Sequence, residues 1–368
     1  MRGLYIHIPF CLAKCKYCNF NSGSFSKNEQ ALYLSALFRE MEKYKNEEVD
    51  TVFIGGGTPT SLCDDHLLAL LENINKNFVI SKNAEFTVEA NPKTLTENNL
   101  LLMKKYGVNR LSVGVQSFND NELLSLGRIH TKKDAKDTIK MAQKCGFSKI
   151  NIDLNSANPN QSKKSFINSL NEAISLGTTH ISCYSLILEE GTPLFEENEK
   201  GQLLLLAEDE EREIYEAACK ILEENGYMQY EISNFARKGF ESRHNIKYWT
   251  CNEYIGLGLS AHSYIGGVRF SNTDDFLAYT NGEFSTGASD VLSKNDKMSE
   301  FVFLGLRMTR GIEKAEFKKR FDVEIEKIFE KELLKYKNMG MIIENNGFLA
   351  LSHSALSVSN AILCDFIL

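Results

Sequence analysis

Three cysteines, Cys11, Cys15 and Cys18, stand within eight residues in a C-x3-C-x2-C arrangement. Thiolates are soft ligands, so this spacing suits zinc or an iron-sulfur cluster. A structural zinc closes its tetrahedron with a fourth ligand, and the nearest candidate, His7, lies inside the apolar run before the cysteines. Three thiolates on a four-iron (4Fe-4S) cluster instead leave one iron open to a substrate or cofactor. Downstream, the run Gly55-Gly56-Gly57-Thr58-Pro59 allows close backbone approach and offers main-chain polar groups to the charged end of a ligand. It would equally serve as a tight strand-to-helix turn. Glu89, Gln116, Arg128 and Asp153 suit a ligand with amino, carboxylate and ribose hydroxyl groups, because Arg pairs with carboxylate and Glu, Gln or Asp with hydroxyls. Each alone is also an ordinary strand-end or helix-cap residue.

The elements that position them follow from periodicity. Short β-branched or aromatic runs at 3 to 8, 51 to 55, 85 to 89, 109 to 115, 148 to 154 and 179 to 186 read as strands. Between them, apolar residues recur three and four apart, as in Leu34, Leu37, Phe38 and Met41. Thr96 and Thr131 sit where N-caps belong, and Gly107 and Gly146 where the chain leaves a helix in a left-handed conformation. Six β-then-α units predict a parallel sheet, a partial (β/α)6 barrel of α/β class, with a small, mostly helical C-terminal domain. Chemistry in such folds gathers at the carboxyl ends of strands. The cysteines, the glycine run, Glu89, Gln116, Asp153 and the Tyr184-Ser185 pair each follow or end a different strand, so all are expected on one rim.

Three units are expected: residues 1-226 as the barrel, 227-296 as a glycine- and aromatic-rich extension, and 297-368 as the C-terminal domain. The last shows helical patterns at about 298 to 308, 313 to 320 and 324 to 338 and then a hairpin around Asn345-Asn346-Gly347. Three helices and a hairpin suggest a winged helix, but 11 basic and 10 acidic residues from 297 to 368 are no phosphate-tracking surface.

Composition bounds the rest. The chain has 368 residues, 43% apolar, 25% charged, with a net charge of -7. Residues 189 to 216 alone carry -9, which leaves the remainder at +2, so no nucleic-acid partner is expected. This acidic stretch reads as a solvated approach to a helix N-terminus. The uncharged run from Tyr254 to Val268 is 15 residues, short of the roughly 20 that span a bilayer. The expectation is a cytoplasmic chain whose nine cysteines are free, catalytic or metal-bound rather than paired.

The segments YIHIPFCLAKCKYCNF, GGGTPT, VEANP, RLSVGVQSF, LGRIH and HNIKYW, running in order from Tyr5 to Trp249, together resemble the oxygen-independent coproporphyrinogen oxidase family of radical S-adenosylmethionine proteins, specifically its heme-chaperone branch. The resemblance implies a 4Fe-4S cluster on Cys11, Cys15 and Cys18, with Tyr5 and Tyr17 lining the cofactor cavity. It implies that Gly56, Gly57 and Thr58 hold the methionyl end of S-adenosylmethionine, and that Glu89, Gln116, Arg128, Asp153 and Ser185 contact the cofactor. His244-Asn245-Ile246-Lys247-Tyr248-Trp249 matches an HNxxYW motif associated with heme binding, naming His244, Asn245, Tyr248 and Trp249 as heme residues. Imidazole is a common axial ligand, although a buried histidine and tryptophan fixing a loop would read the same way. The true oxidase carries a further cysteine where this chain has Phe20, and an N-terminal extension, so the chaperone branch is favoured over decarboxylation of coproporphyrinogen III. Implied partners are heme, a heme-accepting respiratory membrane protein reached transiently at the inner face of the membrane, and a reductant for the cluster; a homodimer is a further expectation. One departure is visible: strand five runs into Asn155-Ser156-Ala157-Asn158-Pro159-Asn160-Gln161, where relatives carry a glycine-containing turn.

Overall fold

The computed structural model describes residues 1–368. Six strands, β1 (Arg2–Ile8), β2 (Glu48–Gly56), β3 (Val79–Ala90), β4 (Arg110–Gln116), β5 (Lys149–Ser156) and β6 (His180–Ser185), lie side by side in sequence order, every neighbouring pair parallel. A helix follows each strand, as crossover connections require. Helix starts are set by capping side chains. Thr96 and Thr131 each accept from the third residue of their helix, and such caps contribute about 1 kcal/mol each. Gly107 and Gly146 end the preceding turns at φ +94° and +84°, where a side chain would be strained. The acid-rich stretch delivers Glu208, Asp209, Glu210 and Glu211 to the first turn of the helix Glu208–Glu224, where negative charge meets the positive end of the macrodipole.

The sheet does not close on itself. Beyond β6 it continues antiparallel through β7 (Met228–Gln229) and β8 (Asn234–Ala236), with β8 beside β6. Beyond β1 it continues through β9 (Tyr254–Leu257), β10 (His262–Ile265), β11 (Val268–Asn272) and β12 (Ser285–Val291), to twelve strands in all. Residues of the extension, including Phe235, Leu257 and Tyr279, pack into the same core as the barrel. A separate apolar core of 19 residues, from Met298 to Phe366, belongs to the C-terminal segment. Its helices are Lys294–Gly305, Lys314–Phe321 and a third that breaks at Phe329 into Ile325–Ile328 and Glu330–Asn338, followed by the hairpin Ile342–Asn345 and Phe348–Leu351. No helix is long and apolar enough to cross a membrane.

Candidate functional site

Register across β1, β2 and β3 stacks the inward side chains in layers two residues apart. Gly3, Thr51 and Glu85 form the lowest row, Tyr5, Phe53 and Thr87 the next, and His7 pairs with Gly55 in the third, level with Glu89. At about 3.3 Å per residue, Glu85 and Glu89 stand about 13 Å apart along β3. The upper layer opens into a cavity of about 420 Å³, and the lower layer is sealed by the helix Arg243–Trp249.

The upper cavity is where the strand-end residues meet. Cys11, Cys15, Tyr17, Cys18, Gly56, Gly57, Thr58, Glu89, Gln116, Arg128, Asp153 and Ser185 all line it. All three thiols are partly exposed. Cys11 Sγ accepts from Thr58 Oγ1 at 3.7 Å, and Cys15 Sγ from an Arg128 guanidinium nitrogen at 3.2 Å. Burial pushes the Cys11 and Cys18 thiols up, and the neighbouring thiols add to it. Iron would reverse that, because a coordinating cation deprotonates its thiols outright. Three partly exposed thiols on one cavity wall are the donor set that a cluster with one open iron would use.

The glycine run is shaped by its neighbours. A Cβ on Gly57 would lie 2.8 Å from Phe10 O and 2.9 Å from Ile8 O, and one on Gly56, at φ +105°, would strike the His7 ring at 2.4 Å. The N–H groups are committed: Gly56 N donates to Glu89 Oε2 (3.0 Å), Gly57 N to Ile8 O (2.8 Å) and Thr58 N to Phe10 O (2.7 Å). What this run can offer a ligand is carbonyl oxygen, which suits an ammonium group rather than a carboxylate. Glu89 is buried beside it. Burial first, and then the Asp153 charge, push its carboxyl up to about 7. Asp153, also raised by burial, accepts from Asn151 Nδ2 at 2.7 Å and Ser112 Oγ at 3.2 Å.

Arg128 arrives on a loop that Gly127, at φ +72°, lets pack on the cysteine loop, where Lys16 N donates to Leu126 O at 3.0 Å. Its guanidinium also binds Asn91 Oδ1 and Gly114 O, while His130, buried at the same loop, holds Val115 O at 3.1 Å. Gln116 ends β4 at φ +68°, beside a register shift, and this bulge aims it into the cavity. Ser185 lines the cavity but donates to Glu211 Oε2 at 2.9 Å. The atypical turn holds its left-handed positions, Ala157 and Asn160, without glycine. Asn158 Nδ2 donates to Asn155 O (2.9 Å), and Gln161 Nε2 to the buried Glu122 (2.7 Å), which tie the turn to the helix Asp120–Ser125.

Two expected placements differ. Tyr5 does not line the cavity: it lies one layer below, its hydroxyl on His7 Nδ1 (3.0 Å) and its ring stacked on Phe53 at 6.2 Å, because inward positions alternate along a strand. His244 and Tyr248 face the barrel floor. The His244 ring is 1% exposed and stacked on Phe53 at 5.2 Å, with Thr51 Oγ1 and Tyr248 Oη each 2.9 Å from one of its nitrogens. Burial lowers its pKa to about 3, which leaves it neutral, and iron ligation through it requires the helix to leave the floor. Asn245, half-buried, donates its N–H to the N-cap Ser242. Trp249 faces outward, towards the C-terminal segment.

Two residues not singled out from sequence matter here. Asn91 bridges Thr58 and Arg128, and Glu85 accepts from the N–H groups of Arg243 and His244, both at 3.0 Å. The signal for Asn91 was its place at the end of β3, whereas nothing local marks Glu85.

The profile of the Radical SAM superfamily matches residues 5–173, and that of the HemN C-terminal domain matches residues 292–358. The fold is that of coproporphyrinogen III oxidase (HemN) from Escherichia coli, with a TM-score of 0.86 over 99% of this chain and 89% of that one, at 21% identity. Fold and site thus define a radical SAM protein. Heme chaperone HemW of Bacillus subtilis (strain 168) is 38% identical over 100% of this chain and 99% of its own length, and that of Escherichia coli (strain K12) 35% identical over 85% and 84%. A zebrafish (Danio rerio) relative, "Radical S-adenosyl methionine domain-containing protein 1, mitochondrial", is 35% identical over 84% of this chain and 73% of its own. The chain belongs to the heme chaperone HemW family.

Proposed function

We propose that this protein binds a 4Fe-4S cluster on Cys11, Cys15 and Cys18, binds S-adenosylmethionine in the adjoining cavity, and carries heme on the helix with His244, Asn245, Tyr248 and Trp249 to a respiratory membrane protein. The observation that supports it most is convergence: thiols, glycine run and polar side chains from the ends of six strands line one cavity in a chain whose full-length relatives are named heme chaperones. When bound, the cluster supplies a reducible iron with an open position and S-adenosylmethionine a cleavable sulfonium. Gly57 and Thr58 keep the cysteine loop against the glycine run, and Glu89 faces the ammonium end of the ligand. Asp153 faces its hydroxyls. Arg128 stabilises thiolate charge at Cys15. Heme delivery takes place in the cytoplasm, at the inner face of the membrane, with a separate reductant for the cluster. We assign residues 1-226, 227-296 and 297-368 to barrel, heme-carrying extension and closing domain.

Heme titration of anaerobically reconstituted protein is expected to give a saturable absorbance change, while coproporphyrinogen III incubated with the same preparation and a reductant remains unconverted. Turnover of coproporphyrinogen III would make the protein an oxidase instead.

Glu89 gives a pH test. The folded protein holds that proton up to about pH 7, whereas an unfolded chain releases it near 4.5. Between these values the native state carries the extra proton, so apo stability declines as pH rises, by a total on the order of 3 kcal/mol. Glu89→Gln is expected to flatten that decline in thermal melts from pH 5 to 8 and to weaken S-adenosylmethionine binding at pH 8. Equal slopes in the two proteins would remove Glu89 as its source.

A further inference from the structure

The helix that seals the barrel floor has an outer face, and that face borders a second cavity. A crevice of about 340 Å³ lies between it and the C-terminal segment, within the roughly 300–1,000 Å³ of small-molecule sites. Its apolar walls are Ile246 and Trp249 on one side and Phe301 and Phe348 on the other, with Arg310 and Arg320 also lining it. Arg310 is exposed. Arg320 lies over the Phe301 ring at 5.0 Å and donates to Thr250 O at 3.0 Å and Glu316 at 2.8 Å. Two donors in this region lack acceptors: the buried Nε1 of Trp249, and the buried Nε of Arg307, whose guanidinium covers the indole at 4.9 Å.

Aromatic walls select a flat apolar ligand, and the exposed Arg310 with the unpaired indole N–H of Trp249 selects an anionic, hydrogen-bond-accepting edge such as a carboxylate. We propose that this crevice docks the edge of a porphyrin dicarboxylate, with the ring between Trp249 and the two phenylalanines and the carboxylates on Arg310 and Arg320. This rests on the heme-carrying reading above and gives the porphyrin edge a place on the outer face of the helix, at Trp249. The crevice takes only part of a macrocycle. A carrier gains from that, because the exposed remainder is what an acceptor can grip. Two carboxylates share the lining: Glu316 is paired with Arg320, and the exposed Glu313 opposes the ligand's charge.

The test titrates reconstituted protein with heme and with metal-free protoporphyrin IX, following Trp249, the chain's single tryptophan, by fluorescence. Both are expected to saturate with Kd values within about threefold of each other, since ring and carboxylates rather than iron are held. Arg310→Glu is expected to weaken both about tenfold and Glu313→Gln to strengthen both about twofold, while Cys63→Ala, away from the crevice lining, leaves both within about twofold. Both Arg310 and Glu313 are surface residues, so their variants fold. Unchanged affinity in Arg310→Glu, or failure of the metal-free porphyrin where heme binds, overturns this site. Absence of saturable heme binding in the wild type overturns the heme-carrying reading beneath it.

Discussion

Cys15→Ala protein, purified and reconstituted anaerobically, is expected to carry roughly a tenth or less of the wild-type iron and acid-labile sulfide, and to lose the visible absorbance of an iron-sulfur cluster. Three thiolates are the whole protein ligand set in this reading, so removing one leaves two anchors for a four-iron group. Cys15 is the most informative of the three because its sulfur already accepts from Arg128 at 3.2 Å. Without it the guanidinium keeps only Asn91 and Gly114 O as partners, and the cation is left facing the cavity. Cys11→Ala and Cys18→Ala are expected to behave alike. The Cys63→Ala and Cys364→Ala variants, with thiols away from the cavity lining, should retain wild-type iron. Retention of one zinc per chain, with iron absent from wild type and variants alike, would replace the cluster by a zinc site.

The second large effect is expected at Glu85, a residue with no part in the upper cavity. Its buried carboxylate receives the N–H groups of Arg243 and His244, the first donors of the helix that closes the barrel. Those N–H groups have no partner within the helix, and the carboxylate also meets the positive end of the helix dipole. Glu85→Ala leaves both donors buried and unpaired and opens space under His244. Each bond of this charged kind is worth about 1.5–3 kcal/mol, so a loss of about 3–5 kcal/mol is expected in urea unfolding. Glu85→Gln keeps one acceptor oxygen but turns its amide N–H towards the other donor, and is expected to recover less than half of the loss. Trp249 fluorescence should report this unfolding, since the indole ends the same helix. A loss below about 1 kcal/mol in Glu85→Ala would show that the floor is held chiefly by the other contacts of this helix, His244 with Thr51 and Phe53 and Lys247 with Asp50.

The arrangement of the upper site was legible because it depends on local signals and one topological rule. Cysteine spacing, the glycine run and the polar residues at strand ends are read within a few positions of one another. Parallel β/α topology then brings all carboxyl ends to one side. The lower site was not legible in the same way. Which layer Tyr5 occupies depends on register between strands, and a two-residue step moves a side chain from the cavity to the tier beneath it. By residue type His244 read as a buried anchor, and only the family resemblance made it a heme residue. Its burial rests on contacts with Thr51 and Phe53, nearly 200 residues away in the chain, which no local pattern records. Glu85 was invisible because its partner helix begins 158 positions later.

Sequence alone therefore determined the six-unit parallel barrel, the helix caps and the convergence of thiols and acids on one rim, since short-range propensity and chain reversal dictate all three. Tertiary structure decided which face of the HNIKYW helix looks inward, how the Asn155–Gln161 turn is held without glycine, and that Trp249 borders a crevice with the C-terminal segment. These follow from packing between residues far apart in sequence, where no local pattern records the partner.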